Sequence, residues 1–210
     1  MDVLVWEQRT KKLVLAFFAV FVAMLVLAGI AAQPAHAAKP TIKTIRAEET
    51  SYVDNSTVST KFNLYGGKKK EKIRVQLYGK DDNYYTKARI QVNGKTVLTK
   101  KEYGYIAATV KLIRLKNGKR YVYLCLGRFN LWNGGTDIYK YKHGKLKRVV
   151  NLNKRIEKDH PGGYHVGGYI AGVSGNKIRV RCEFDSQTEG FDNVYYRTYV
   201  YKHGKLRLKK

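Results

Sequence analysis

Apolar and polar residues alternate along much of the chain beyond residue 58, as in the segment Lys-Ile-Arg-Val-Gln-Leu at 72–77. Side chains of a β-strand point alternately to its two faces, so a period of two is typical of strands with one buried face. Apolar residues do not recur at every third and fourth position, as they would in an amphipathic helix. The pattern therefore predicts an all-β protein.

A repeated hexapeptide indicates how these strands are grouped. The sequence Tyr-Lys-His-Gly-Lys-Leu occurs at 141–146 and again at 201–206, and this identity indicates an internal repeat. Asn93-Gly94 is a related step of the kind that tight two-residue hairpins favour. Each hexapeptide is predicted to hold the end of a third strand, a hairpin turn and the start of a fourth strand. We therefore predict three four-stranded antiparallel β-meander repeats, over about residues 59–100, 105–150 and 164–210.

Two stretches lack the strand pattern. Residues 38–58 are polar and predict a linker, with room for a short strand at 41–45. Residues 151–163 are irregular and predict a connection between the second and third repeats. No helix is predicted after the linker.

The two cysteines are predicted to be packing residues. Aligning the second strands of the repeats places Cys125 on Cys182, and both on Leu77. A position filled by Leu and Cys is typical of a buried site, where a free thiol behaves as a small hydrophobic group. A disulfide would need the two Cα atoms to lie within about 7 Å, and equivalent positions on neighbouring repeats are commonly farther apart.

Three meanders of this length match the blade period of β-propellers. The segment at 111–124, Lys-Leu-Ile-Arg-Leu-Lys-Asn-Gly-Lys-Arg-Tyr-Val-Tyr-Leu, resembles the core of FG-GAP or VCBS type repeats of secreted bacterial propellers. The resemblance extends loosely over residues 59–210 and implies a small or incomplete propeller-like fold, with a β-sandwich as the alternative. That family usually binds calcium through an Asp-rich loop, whereas Arg114, Lys116 and Asn117 occupy the corresponding neighbourhood here.

Residues 1–37 predict a secretory signal peptide. Three basic residues near the start precede an uncharged apolar run at 13–32, and Ala35-His36-Ala37 provides the small residues of a cleavage site. An uncleaved anchor is the alternative, because a run of this length also spans a bilayer about 30 Å thick. Either arrangement predicts a secreted or cell-envelope-associated protein, with a β-repeat domain at 59–210.

The charge balance points to anionic partners. The 210 residues include 41 Lys and Arg but only 16 Asp and Glu, for a net charge of +25. Such a surface attracts polyanions. The third strand of each repeat mixes cations with tyrosines, which stack on sugar or base faces while the cations neutralise acidic groups. The predicted polyanion-binding residues are Tyr84, Lys87, Arg89, Tyr139, Lys140, Tyr141, Lys142, Tyr199, Tyr201 and Lys202.

Catalytic and metal-binding candidates are few. Asp159, His160 and His165 are candidate metal ligands, but zinc sites use three or four ligands at defined spacings, and an ordinary turn accounts for this segment. Loop carboxylates are candidates for glycan hydrolysis, which needs two facing acids. They include Asp137, Asp185 and Asp192. No nucleophile elbow, P-loop or dinucleotide fingerprint is present, and no cofactor is predicted.

These observations favour a secreted, non-catalytic binding module for an anionic polymer at the cell envelope. Teichoic acid, acidic polysaccharide and extracellular DNA are the ligand classes that fit the charge. An extracellular glycan hydrolase that uses the loop carboxylates is a second hypothesis. A third is a structural protein whose exposed strand edges pair with another copy.

Overall fold

The computed structural model of the protein describes residues 39–49, 54–128, 135–162, 164–185 and 192–209. Within these ranges it does not describe four side chains, those of Tyr103, Tyr164, His165 and Asp192. The predicted signal peptide at 1–37 lies outside the described residues. In the described part of the chain, no helix is both long and apolar enough to cross a bilayer.

Twelve β-strands and one short helix make up the described residues, which confirms the prediction of an all-β protein. In chain order the strands are β1 Thr41–Glu48, β2 Asn55–Phe62, β3 Glu71–Asp81, β4 Tyr84–Val92, β5 Lys95–Arg114, β6 Arg120–Arg128, β7 Thr136–Lys142, β8 Lys145–Asn151, β9 Tyr164–Ser174, β10 Lys177–Asp185, β11 Asp192–Lys202 and β12 Lys205–Leu208. The helix, α1, is Leu152–Asp159 and follows β8 directly.

The strands pair antiparallel in two sheets, and β1 joins the larger sheet by pairing with β5. The larger sheet has the order β2-β3-β4-β5-β6-β7-β8, and β9 to β12 form the smaller one. The twenty-residue β5 pairs with β4 through residues 95–105 and with β6 through residues 105–114. It thereby divides the larger sheet into a first meander, β2 to the start of β5, and a second meander, the end of β5 to β8. Strands β9 to β12 are the third meander.

The repeated hexapeptide forms the same hairpin in both places. His143 and Gly144 have φ values of 50° and 71°, and His203 and Gly204 have φ values of 48° and 77°. Two successive positive φ angles define the tight turn whose twist matches that of paired strands. In the first meander Asn93-Gly94 adopts this geometry too, so the turns were correctly predicted from sequence.

Two hydrophobic cores lie on opposite faces of the second meander. The first core packs β1, β3 and β4 against β5 to β8 and includes Ile73, Ile90 and Leu112. The second core packs α1 and β9 to β11 against β5 to β8 and includes Ile113 and Ile178. The second meander is therefore the middle layer of the fold.

Strand β6 shows the effect of this central position. Val122 and Leu124 enter the first core, whereas Tyr121 and Tyr123 enter the second. A strand that is covered on both faces carries a continuous run of apolar and aromatic residues instead of an alternating pattern.

Two segments differ from the sequence predictions. The predicted linker at 38–58 contains β1, which pairs with β5 over its whole length and buries Ile45 and Ala47. The connection at 151–163 contains α1, although no helix was predicted there. Asn151 caps this helix, because its side-chain oxygen accepts a hydrogen bond from the Lys154 N–H at 2.9 Å. Burial of Leu152, one turn before Ile156, then holds the helix on the sheet.

Cys125 and Cys182 do not form a disulfide with each other; Cys182 is buried in the second core, and the partly buried Cys125 packs against it. Their predicted equivalence is wrong. Cys125 pairs with Thr136, eight residues before Gly144, whereas Cys182 pairs with Tyr195, nine residues before Gly204. An offset of one residue reverses the face of a strand. The two thiols therefore enter the second core from opposing sheets.

Candidate anion-binding surface

Two of the predicted binding tyrosines lie in the cores. Tyr139 and Tyr199 are each 2% exposed. The Tyr139 hydroxyl donates a 2.7 Å hydrogen bond to Oδ2 of Asp137, a buried carboxylate that also faces Lys100 Nζ at 3.5 Å and an Arg148 nitrogen at 3.6 Å. Burial, followed by this contact with Asp137, raises the Tyr139 pKa far above its ordinary value. Neither ring is therefore exposed for stacking on a ligand.

Predicted residues on β4 lie on the outward side of the first meander. The guanidinium carbon of Arg89 is 4.6 Å from the ring centroid of Tyr78, and Lys87 Nζ is 5.7 Å from the same centroid. Tyr84 begins this strand and is half-buried. Together with Lys72 and Arg74 on β3, these side chains form what we call the first outer face. It is cationic, with an aromatic ring at its centre.

The remaining predicted residues flank the two repeated hairpins. Tyr141 is half-buried and its hydroxyl accepts a 3.0 Å hydrogen bond from Tyr65, whose ring it meets edge to face. Tyr201 is half-buried beside Lys119, whose Nζ lies 5.7 Å from its ring centroid. Three lysines complete the set, Lys140, Lys142 and Lys202, the last two of them exposed. The predicted residues are thus distributed over β4, β7 and β11 instead of forming one patch.

A groove that was not predicted from sequence lies between α1, the end of β8 and the edge strand β12, and has a volume of about 730 Å³. None of the described residues that line it is acidic. The cations that line this groove, hereafter the basic groove, are Lys154, Arg155, Lys158, Lys205 and Arg207. The helix presents three of them because positions 154, 155 and 158 share one face at the helical spacing.

The floor of the basic groove is apolar, and the buried Tyr199 side chain adjoins it. Leu206, Leu208 and the end of β8 provide the apolar surface. The Tyr199 hydroxyl has no hydrogen-bond partner among the described residues. Burial raises the pKa of Tyr199 to about 12, while the positive charges of Arg197 and Arg155 act to lower it. The hydroxyl is therefore protonated at neutral pH and remains a hydrogen-bond donor.

The outward side of the third meander, the second outer face, continues the positive surface. Tyr196 is 51% exposed and the guanidinium carbon of Arg179 lies 4.0 Å from its ring centroid. Arg181 on the same face forms a 2.8 Å ion pair with Glu183. Arg207 on β12 pairs with Val200 of this sheet and also lines the basic groove, so the two surfaces are continuous.

The candidate metal ligands have other roles where the structure describes them. Asp159 forms an ion pair with Arg197 and accepts a 3.2 Å hydrogen bond from the Tyr195 hydroxyl. His160 stacks on Phe184, with ring centroids 3.9 Å apart. The His165 side chain lies outside the description. Among the described residues, no three His, Cys, Asp or Glu side chains group as a metal site would require.

Two of the three candidate catalytic carboxylates are neighbours in the backbone, because Asp185 at the end of β10 pairs with Asp192 at the start of β11. Asp137 lies on β7, in the other sheet. Asp137 is buried beside Lys100 and Arg148, and Asp185 is half-buried at the end of β10. The side chain of Asp192 lies outside the description.

Comparison with known proteins adds no assignment. No protein-family model matches the chain, and no significant match was found among curated proteins or among solved structures.

Proposed function

We propose that the protein is a non-catalytic binding module for an anionic polymer at the cell envelope. The observation that carries this proposal is the basic groove, where the described lining residues provide five cationic side chains and no carboxylate around an apolar floor. Like charges held together in a concave site repel one another, and an anionic ligand relieves that repulsion while releasing counterions to the solvent.

Continuity of the positive surface favours a polymer over a small ligand. Cations extend from the groove through β12 to the second outer face, where Arg179 and the exposed Tyr196 form a stacked pair. A long chain that follows this route would contact the groove and the outer face at once, and linked contacts bind more tightly than separate ones. Secretion through residues 1–37, or anchoring by them, belongs to the same proposal.

We also propose that the three meanders form a small, incomplete propeller-like stack, as the resemblance to FG-GAP or VCBS repeats implies. The third strands support this arrangement over a β-sandwich. Ala88 lies six residues before Gly94 and enters the core shared with the second meander. Ile138 lies six residues before Gly144 and enters the core shared with the third meander. Equivalent positions thus face the next meander, as repeated blades do.

The two alternative functions receive less support. Hydrolysis needs two carboxylates facing one substrate bond. Asp137 already contacts Tyr139, Lys100 and Arg148. Asp185, which pairs with Asp192, is not among the described residues that line the basic groove. Self-association through exposed strand edges would bring another copy against the edge strand β12, whose Lys205 and Arg207 are exposed, and charged residues on an edge strand oppose such pairing.

Charge reversal in the basic groove tests the proposal. The K205E/R207E variant of the 38–210 domain replaces two groove cations, and K68E/K69E makes the same charge change in an exposed loop. Binding to heparin and to purified cell-wall polymer would be measured across a salt series. For a single-stranded polyanion, the loss of two contacts should make the slope of log K against log salt less steep by about 1.4. We expect this change in the groove variant alone.

Two outcomes would count against this function. An equal loss of affinity in both variants would show that binding responds to net charge alone and not to a defined site. Binding by the wild-type domain that is independent of salt would exclude an electrostatic polymer contact altogether.

A further inference from the structure

We propose that the basic groove is a phosphate subsite, in which the Tyr199 hydroxyl donates a hydrogen bond to a phosphodiester oxygen of the polymer. This inference rests on the proposed function and specifies the chemistry of its ligand. It names a flexible polyol phosphate chain as the ligand, instead of a carboxylate polysaccharide.

The Tyr199 hydroxyl is the first reason for this assignment. The side chain is 2% exposed, and its hydroxyl has no hydrogen-bond partner among the described residues. A buried polar group that lacks a partner lowers the stability of the fold, and folded proteins rarely retain one. Tyr199 adjoins the groove whose cations would attract an anion. A ligand oxygen at the groove floor would give the hydroxyl the acceptor that the described residues do not supply.

The second reason is that the side chains lining the groove mainly donate hydrogen bonds. Lysine and arginine are donors without acceptor atoms, and a protonated tyrosine hydroxyl is also available to donate. The one amide in the lining, Asn151, already uses its oxygen to cap α1. Sugar hydroxyl groups need acceptors as well as donors, whereas phosphodiester oxygens only accept. The lining therefore suits phosphate better than a hydroxyl-rich acidic polysaccharide.

The apolar part of the groove favours a polyol chain over nucleic acid. Val149 is 42% exposed, and Leu206 and Leu208 also border the space. These side chains offer contacts to the methylene and methine groups between phosphates. Proteins that hold single-stranded nucleic acid stack its bases on exposed aromatic rings. Among the described lining residues the one aromatic ring is that of Tyr199, and it is buried.

The Tyr199 hydroxyl oxygen is enclosed in the structure, so a ligand oxygen reaches it only when a neighbouring side chain moves. Arg155 lies close enough for its charge to influence the Tyr199 hydroxyl, and its side chain is exposed. Exposed side chains change rotamer within nanoseconds. A phosphate that pairs with Arg155 would draw the guanidinium towards the ligand and bring its own oxygens to the groove floor.

The Y199F variant tests the hydroxyl, with Y196F as the control on the second outer face. Dissociation constants would be measured at one salt concentration for poly(glycerol phosphate), oligothymidylate and polyglutamate of matched charge. We expect Y199F to bind poly(glycerol phosphate) about tenfold more weakly, because it loses a hydrogen bond to a charged group. Polyglutamate binding should be unchanged by Y199F, and Y196F should bind poly(glycerol phosphate) as the wild type does.

Thermal unfolding without polymer provides an independent measurement. Y199F should unfold at the same temperature as the wild type or higher, because the removed hydroxyl makes no hydrogen bond with the described residues. A clear decrease would show that the hydroxyl already has a partner and would overturn the assignment.

Other results distinguish the subsite from the wider function. Unchanged affinity of Y199F for poly(glycerol phosphate), or equal wild-type affinity for polyglutamate, would overturn the phosphate subsite while leaving anionic polymer binding intact. Tighter binding of oligothymidylate than of poly(glycerol phosphate) would overturn the choice of a polyol chain. Failure of the wild type to bind any of the three polymers would overturn the proposed function itself.

Discussion

Replacement of Gly168 by Ala tests how α1 is held against the sheet. A Cβ atom at position 168 would lie 2.7 Å from Cβ of Leu152 and 3.0 Å from its Cδ1. Contacts below 3.0 Å are too short for two carbon atoms, so either the helix or the strand has to move. Leu152 is 1% exposed at the start of α1 and cannot turn away into solvent.

The strand is also fixed at this position. The carbonyl of Gly168 accepts a 2.8 Å hydrogen bond from the Tyr123 hydroxyl, and its N–H donates to Thr136 Oγ1 at 3.2 Å. Inserting a methyl group into such a packed site costs about 1–3 kcal/mol. The loss of backbone freedom in the unfolded chain offsets this by about 0.4–1 kcal/mol. We therefore expect G168A to lower the free energy of unfolding by about 1–2 kcal/mol.

Urea denaturation of the 38–210 domain, followed by circular dichroism, measures this change. Gly172 provides the control on the same strand, because a Cβ at that position has no neighbour within 4 Å. G172A should match the wild type or exceed it slightly. The L152A/G168A double variant should lose less stability than the two single losses added together, because Leu152 causes the overlap. A G168A domain as stable as G172A would refute the close packing of α1 on β9.

Three further predictions follow from buried ionisable groups. Burial raises the pKa to about 12 in Tyr105, Tyr121 and Tyr199. Above about pH 10 the unfolded state releases these phenolic protons while the folded state keeps them. The free energy of unfolding, measured with urea, should therefore fall between about pH 10 and pH 12. A free energy that does not change over this range would contradict the prediction. Burial raises the pKa of Cys125, and that of Cys182 to about 11, so a thiol reagent at neutral pH should label both far more slowly in native than in denatured protein. D137N should lower the free energy of unfolding by about 1–2 kcal/mol, because it weakens the contacts of Asp137 with two partly exposed cations. The control E157Q, on the exposed side of α1, should change this free energy little. Urea denaturation measures both, and equal values for the two variants would exclude a structural role for Asp137.

Strands and turns could be predicted from sequence because they depend on residues that are close together in the chain. Asn93-Gly94 and the two His-Gly steps need positive φ angles, and few residue types accept them. Helix α1 could not be predicted in this way, because only Leu152 and Ile156 of its eight residues are buried. Its position depends on packing against β9, which is a contact with a distant part of the chain.

The burial of the candidate binding residues was harder to predict from sequence than the strands, for a related reason. Tyrosine is suited both to a core and to a binding surface, and the alternation of Tyr and Lys on a strand does not show which face is covered. Tyr139 and Tyr199 proved to be core residues. The basic groove combines cations from 154–158 with others from 205–207. Only the fold brings these segments together, so neither was singled out by local pattern.

The distribution of charge over the layers indicates what the outer faces are for. Strand β6 in the middle layer is buried on both faces, and between Tyr121 and Gly127 it contains no charged residue. If a further meander or another copy covered the outer layers, their outward positions would be expected to be apolar in the same way. Instead β3 presents Lys72 and Arg74, and β10 presents Arg179 and Arg181. Burying such cations without partners would be costly. The outward faces of the first and third meanders therefore suit contact with water and with anions, and the basic groove lies where the third meander meets α1.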